Sequence, residues 1–105
     1  MQRLLEVHAL PDSGLDAAQA FLGLHLKAAR SLLDAEDTTS LAIVLPPAGP
    51  DHADWRRAVA RDMAREFSPK RVNVVGASEG AACEELLTYL GNAPGVTGQY
   101  CQTHE

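Results

Sequence analysis

Aromatic side chains are scarce: two Phe, two Tyr and one Trp amount to 5% of the 105 residues, although 46% of the chain is hydrophobic. A core must therefore be assembled from Leu, Val, Ile and Ala, the composition of helices packed on a parallel sheet. Positive charge is short as well, since 9 Lys and Arg against 14 Asp and Glu leave a net charge of −5. No basic stripe opposes a phosphate backbone, so nucleic acid is not an expected partner. Long apolar runs are missing too. The opening MQRLLEVHALPDSG is broken by Pro11 and is too short and too charged for a signal peptide or a membrane span. No membrane association is expected, and the cytoplasm is the expected compartment. The only cysteines, Cys83 and Cys101, fall in different predicted elements and read as two reduced thiols.

What is present alternates between strand and helix signals, over a length that suits one domain, residues 1–105. Arg3 to Leu10 reads as a buried strand closed by Pro11-Asp12-Ser13-Gly14. Leu15 to Leu33 carries apolar residues at helical spacing, with Asp12, Ser13 or Asp16 available as a cap. Ser40 to Leu45 is a second strand, ended by prolines that cannot donate to a ladder. From Asp51 to Phe67, Trp55, Val59, Met63 and Phe67 recur four apart. Arg56, Arg57, Arg61, Asp62, Arg65 and Glu66 are assigned to the opposite, polar face. Arg71 to Val75 is a third strand, Glu79 to Leu90 a third helix with Ser78 as N-cap, and Gln99 to Thr103 a last strand. The order predicts an α/β, Rossmann-like three-layer domain on a parallel sheet of about four strands, with right-handed crossovers.

Two stretches carry a family resemblance. AREFSPKRVNVV, Ala64 to Val75, resembles the helix end and following strand of short-chain dehydrogenases. LLTYLGNAPGVTGQ, Leu86 to Gln99, resembles their last helix and the turn into the final strand. More weakly, Phe21 to Leu33 resembles the family's central helix, Leu41 to Leu45 its fifth strand and Leu4 to Ala9 its fourth. The resemblance thus spans a truncated, C-terminal half of the pattern. The Gly-rich turn that receives a dinucleotide pyrophosphate on backbone N–H groups has no counterpart in these residues.

The resemblance also allows the catalytic positions to be compared one by one. The family's Tyr and Lys positions fall on Gly49 and Ala53, which have no side chain able to exchange a proton. Its Ser position falls within Pro46 to Ala48, its Asn position near His25. The turn after the fourth strand reads Val7, His8, Ala9 and Leu10, and the Pro-Gly after the sixth reads Ala77 and Ser78. Tyr89 and Tyr100 lie outside any Tyr-x-x-x-Lys frame. The resemblance therefore implies an inactive relative with no catalytic residue and no cofactor.

The remaining expectations concern surfaces. His8, His25 and Ser78 are candidate residues of a surviving cleft. The Gly76 to Gly80 turn reads as a plain cap, with Glu79 opposing phosphate. Asp51, His52 and Asp54, and the Cys101/His104 pair, offer metal-ligand types at suggestive spacing but too few ligands each. They read as solvated helix-start and terminal residues. Cys83, among Ala81, Ala82 and Leu86 and beside Glu84 and Glu85, reads as a small hydrophobe. Phe21, Leu22, Trp55, Val59, Met63 and Phe67 are candidate interface residues. The resemblance, to a family that commonly dimerises through its central and following helices, implies with them a homo-oligomer, most simply a dimer, or another protein partner, and the Arg3 to Leu10 strand edge is a second route. Two functions stay open: an interaction or oligomerisation module, and a small-molecule binder or reductase-related enzyme with a remodelled cleft.

Overall fold

The protein, described over residues 1–103 by a computed structural model, carries one parallel sheet in the order β1-β2-β3-β4. The strands are β1 (Gln2–Glu6), β2 (Ser40–Leu45), β3 (Arg71–Gly76) and β4 (Tyr100–Gln102). Between them run α1 (Gly14–Leu24), α2 (Leu26–Asp34), a 3-10 turn (Pro50–His52), α3 (Ala53–Phe67) and α4 (Ala81–Gly91). The expected α/β, Rossmann-like class with four parallel strands is the observed one.

Successive strand residues face opposite sides of the sheet. Leu41, Ile43, Leu45, Val72 and Val74 meet Phe21, Ala29, Leu33, Ala60 and Met63 in the larger core beneath α1, α2 and α3. On the reverse face Val75 and Val44 meet Cys83, Leu86, Leu87 and Leu90 of α4. All three strand-to-strand steps run in the same direction, yet α4 lies on the opposite face from α1–α3. The third crossover is therefore opposite in hand to the first two, and the expectation of three right-handed crossovers fails. Space explains it: α3 already packs on both β3 and β4, leaving that face occupied.

The stretch expected as one helix from Leu15 to Leu33 is two, broken at His25. Its buried residues Ala17, Phe21, Ala29 and Leu33 repeat every four positions or multiples of four. In a straight helix each such step drifts roughly 40° around the axis. The break, next to helix-weakening Gly23, returns the apolar stripe to the core. Ser13 is the true N-cap, accepting from the Asp16 N–H at 3.1 Å. The other end of the pair is closed by the Lys70 ammonium, which donates to the Leu33 and Ala35 carbonyls.

The two stretches that carried the resemblance are interlocked. Asn73, buried on β3, donates to the Val96 carbonyl at 3.0 Å and accepts from the Gln99 N–H at 3.1 Å. Val72 donates to Thr97 Oγ1 at 3.0 Å and accepts from the Gly98 N–H at 2.7 Å. Gly98 has φ +72°, and a Cβ there would sit 3.5 Å from the Ala64 Cβ. One strand thus reads the loop through its backbone and a single amide, and the glycine lets that loop turn left-handed against α3.

Several boundaries differ from expectation. Strand β1 stops at Glu6 because Val7 keeps only one further ladder bond, to the Val44 carbonyl at 2.9 Å. Helix α4 begins at Ala81 with Gly80 as N-cap, so Ser78 is exposed and caps nothing. The largest revision concerns α3, where the buried stripe is Arg56, Ala60 and Met63 while Trp55, Val59 and Phe67 are half-buried. Arg56, expected on the solvated face, is 1% exposed.

Candidate functional site

Strand ends and the loops that follow them form two clefts at the carboxyl edge of the sheet, as expected for an open parallel sheet. The larger, about 500 Å³, lies on the α4 face between β1 and α4. Leu4, Val44, Cys83 and Leu87 give it an apolar base, while Glu6, His8, Ser78 and Glu79 stand at its mouth. It exists because β1 projects past the cover that α4 provides: Leu4, on the edge strand, is 42% exposed.

His8 and Ser78 are thus brought together, as the sequence suggested, whereas His25 is elsewhere. It occupies the α1–α2 junction, half-buried, with its ring 6.0 Å from that of Phe21. Neither cleft at the sheet edge includes it among its lining residues. Glu6, His8 and Glu79 form a set not foreseen from sequence, because β1 and the loop after β3 are far apart along the chain. Their ligand atoms lie within 4.8 Å of one another, and all three are exposed. The arrangement can hold a divalent cation through two carboxylates and one imidazole, with positions left for solvent.

The second cleft, about 370 Å³, lies between the β1–α1 and β2–α3 connections and is lined by His8, Asp12, Asp51, His52 and Arg56 among others. His52 is 6% exposed, which corrects its reading as a solvated helix-start residue. Its Nε2 lies 2.8 Å from the Asp12 carbonyl, and its Nδ1 accepts from the Trp55 Nε1–H at 3.2 Å. Both bonds are satisfied by the Nε2–H tautomer, and the ring thereby ties the first connection to α3. Asp51 approaches His52 Nε2 at 3.7 Å and is itself exposed.

Arg56 lies against Tyr100, donating from Nη1 to its hydroxyl at 3.1 Å. Its guanidinium carbon sits 5.5 Å from the Trp55 ring and 5.6 Å from the Tyr100 ring. Sequence reasoning missed this residue. The available signal was its place four residues before Ala60 and seven before Met63, on the stripe that packs against the sheet.

Outside the clefts, an apolar groove of about 310 Å³ separates α1–α2 from α3. It is lined by Leu22, Leu26, Trp55, Val59 and Met63, with Arg30, Asp62 and Glu66 at its rim. Arg30 grips Glu66 through two bonds of 2.8 and 2.9 Å. That bond, then the charge of Arg30, holds the Glu66 carboxyl below its usual range. Of the expected interface residues, Phe21 and Met63 are buried in the chain's own core, Trp55, Val59 and Phe67 are half-buried, and Leu22 is 52% exposed.

The cysteines are not disulfide-bonded. Cys83 is buried on α4, and burial pushes the Cys101 thiol above its ordinary range. The Cys101/His104 pairing involves His104, which lies outside the described residues. Among the described residues, no helix is long and apolar enough to cross a membrane.

A family model described as "SDR-like: Short chain dehydrogenase-like protein" matches residues 5–103. No curated protein and no solved structure gives a significant match.

Proposed function

Because the chain belongs to the short-chain dehydrogenase-like family over residues 5–103, we propose that it is a member without dehydrogenase chemistry that works as an oligomerisation module. It pairs with a second copy of itself through the α1–α2/α3 face. The observation that carries the reading is the groove between those helices, apolar along its length and half open at Leu22. The rim does not oppose a second copy, since Arg30 on α2 neutralises Glu66 on α3 within the chain and Arg65 pairs with Asp62. A two-fold axis along the groove lets the same apolar face of each copy cover the other.

The absence of reductase chemistry is supported position by position. Gly49 precedes the 3-10 turn and Ala53 opens α3, where the family resemblance places a proton donor and its lysine. Neither offers a titratable group. A cytoplasmic setting belongs to the same proposal, consistent with two cysteines outside any disulfide.

Two experiments test this reading. Sedimentation at micromolar concentration should give a dimer that the exposed-position change Leu22→Glu dissociates. Thermal shift with NADH and NADPH should give no stabilisation, and a saturable rise in melting temperature with either would count against a non-catalytic module.

A further inference from the structure

We propose that the cleft between the β1–α1 and β2–α3 connections is a binding site for a small organic monocarboxylate, whose carboxylate pairs with Arg56. The inference does not rest on self-association.

An arginine side chain is cationic throughout the physiological range and carries five donors, so full burial calls for an anionic partner. Arg56 is 1% exposed, yet among the described residues no carboxylate lies within ion-pair distance of it. One Nη1 bond goes to Tyr100, and Nε is sealed from solvent with no hydrogen-bond partner among the described residues. The faces of Trp55 and Tyr100 stabilise the charge but cannot satisfy an N–H in the guanidinium plane.

The surroundings keep the guanidinium in place. A Cβ on Gly76 would stand 2.8 Å from the Tyr100 hydroxyl and 3.2 Å from Arg56 Nη1, so Tyr100 and Arg56 can close over the end of β3 only because this residue has no side chain. His52 cannot compete for an incoming anion, as both its ring nitrogens are engaged. Arg56 lines a cleft of about 370 Å³, roomy enough for a small organic acid.

The charge of the rim selects the class of anion. Asp12 and Asp51 line the same cleft and are exposed. They disfavour a doubly charged phosphate more than a singly charged carboxylate, which reaches the Arg56 guanidinium by taking the place of the Tyr100 hydroxyl bond. Proline and alanine residues 46–48 supply an apolar wall for the rest of the acid.

Trp55 is the sole tryptophan and touches Arg56, so its fluorescence reports on the site. The experiment titrates the full chain with sodium benzoate, sodium acetate and inorganic phosphate at constant ionic strength. In parallel, the Arg56 Nε–H resonance is followed by NMR in the unmodified protein. Expected are a saturable fluorescence change with benzoate, a displaced Nε–H resonance, and phosphate binding at least about tenfold weaker. Arg56→Met, which keeps the aliphatic stem, should abolish the change while retaining cooperative unfolding. Overturning results are an Nε–H resonance unmoved by benzoate up to roughly 50 mM, phosphate binding as tightly as benzoate, or unaltered benzoate binding by folded Arg56→Met. Should Arg56→Met not fold, the Nε–H resonance alone decides.

Discussion

Replacing Phe21 by Ala tests the packing of α1 against α3, on which both the core and the groove depend. Phe21 is 0% exposed, and its ring stands 5.8 Å from Trp55 and 6.0 Å from His25. Removing a fully enclosed phenyl ring costs about 3–5 kcal/mol. At about 2.1 cal/mol/K per residue, the unfolding entropy of 105 residues is roughly 0.22 kcal/mol/K. The melting temperature should therefore fall by roughly 14–23 °C. The neighbouring Leu22, 52% exposed, should lose less than about 1 kcal/mol on truncation to Ala in the dissociated protein. Differential scanning calorimetry at two protein concentrations separates folding from association, because only the latter shifts with concentration. A fall below roughly 5 °C for Phe21→Ala, or equal losses at both positions, would refute the α1 register.

Asn73→Ala should destabilise the protein by about 2–4 kcal/mol, since it strands the buried partners Val96 O and Gln99 N–H, and hydrogen exchange should show residues 96–99 loosened first. Acid should weaken the Arg30–Glu66 pair. Arg30 depresses the folded-state pKa of Glu66, so the contribution is present above the unfolded pKa and disappears as pH falls through the lower folded value. Glu66→Gln should then flatten the acid limb of melting temperature against pH, modestly because both groups are exposed; an unchanged limb would contradict the pairing. NADPH should not be consumed with small ketones or acyl thioesters, and turnover that a substitution in this chain abolishes would show that a working active site exists. Cys101 should react slowly with iodoacetamide at neutral pH, because burial keeps its thiol protonated, and rapid labelling would contradict that placement.

Strand and helix order was legible because period-two and period-3.6 patterns are local, and the dehydrogenase-like motifs were legible because Asn73 and Gly98 are tied by backbone geometry. Arg56 was not legible. A charged residue on an amphipathic helix reads as solvated, and only the tertiary approach of Tyr100 and the bare backbone at Gly76 reveals a pocket for it. The break at His25 was hidden for a similar reason, since no proline marks it and the four-residue repeat alone signals the bend. Side-by-side placement of Glu6 and His8 with Glu79 depends on sheet order, as does the hand of the third crossover, and neither is set by local pattern. On the β1 edge Val7 is buried, so the exposed Leu4 is the position at which strand-edge pairing is tested.

Sedimentation equilibrium of the unmodified chain beside Leu22→Glu and Leu4→Lys bears most directly on the proposal that this family member is an oligomerisation module. The account predicts twice the 11.2 kDa chain mass for the unmodified protein and for Leu4→Lys, and the single-chain mass for a still-folded Leu22→Glu. A monomer of 11.2 kDa at micromolar concentration, or a dimer that survives Leu22→Glu and is lost with Leu4→Lys, would contradict it.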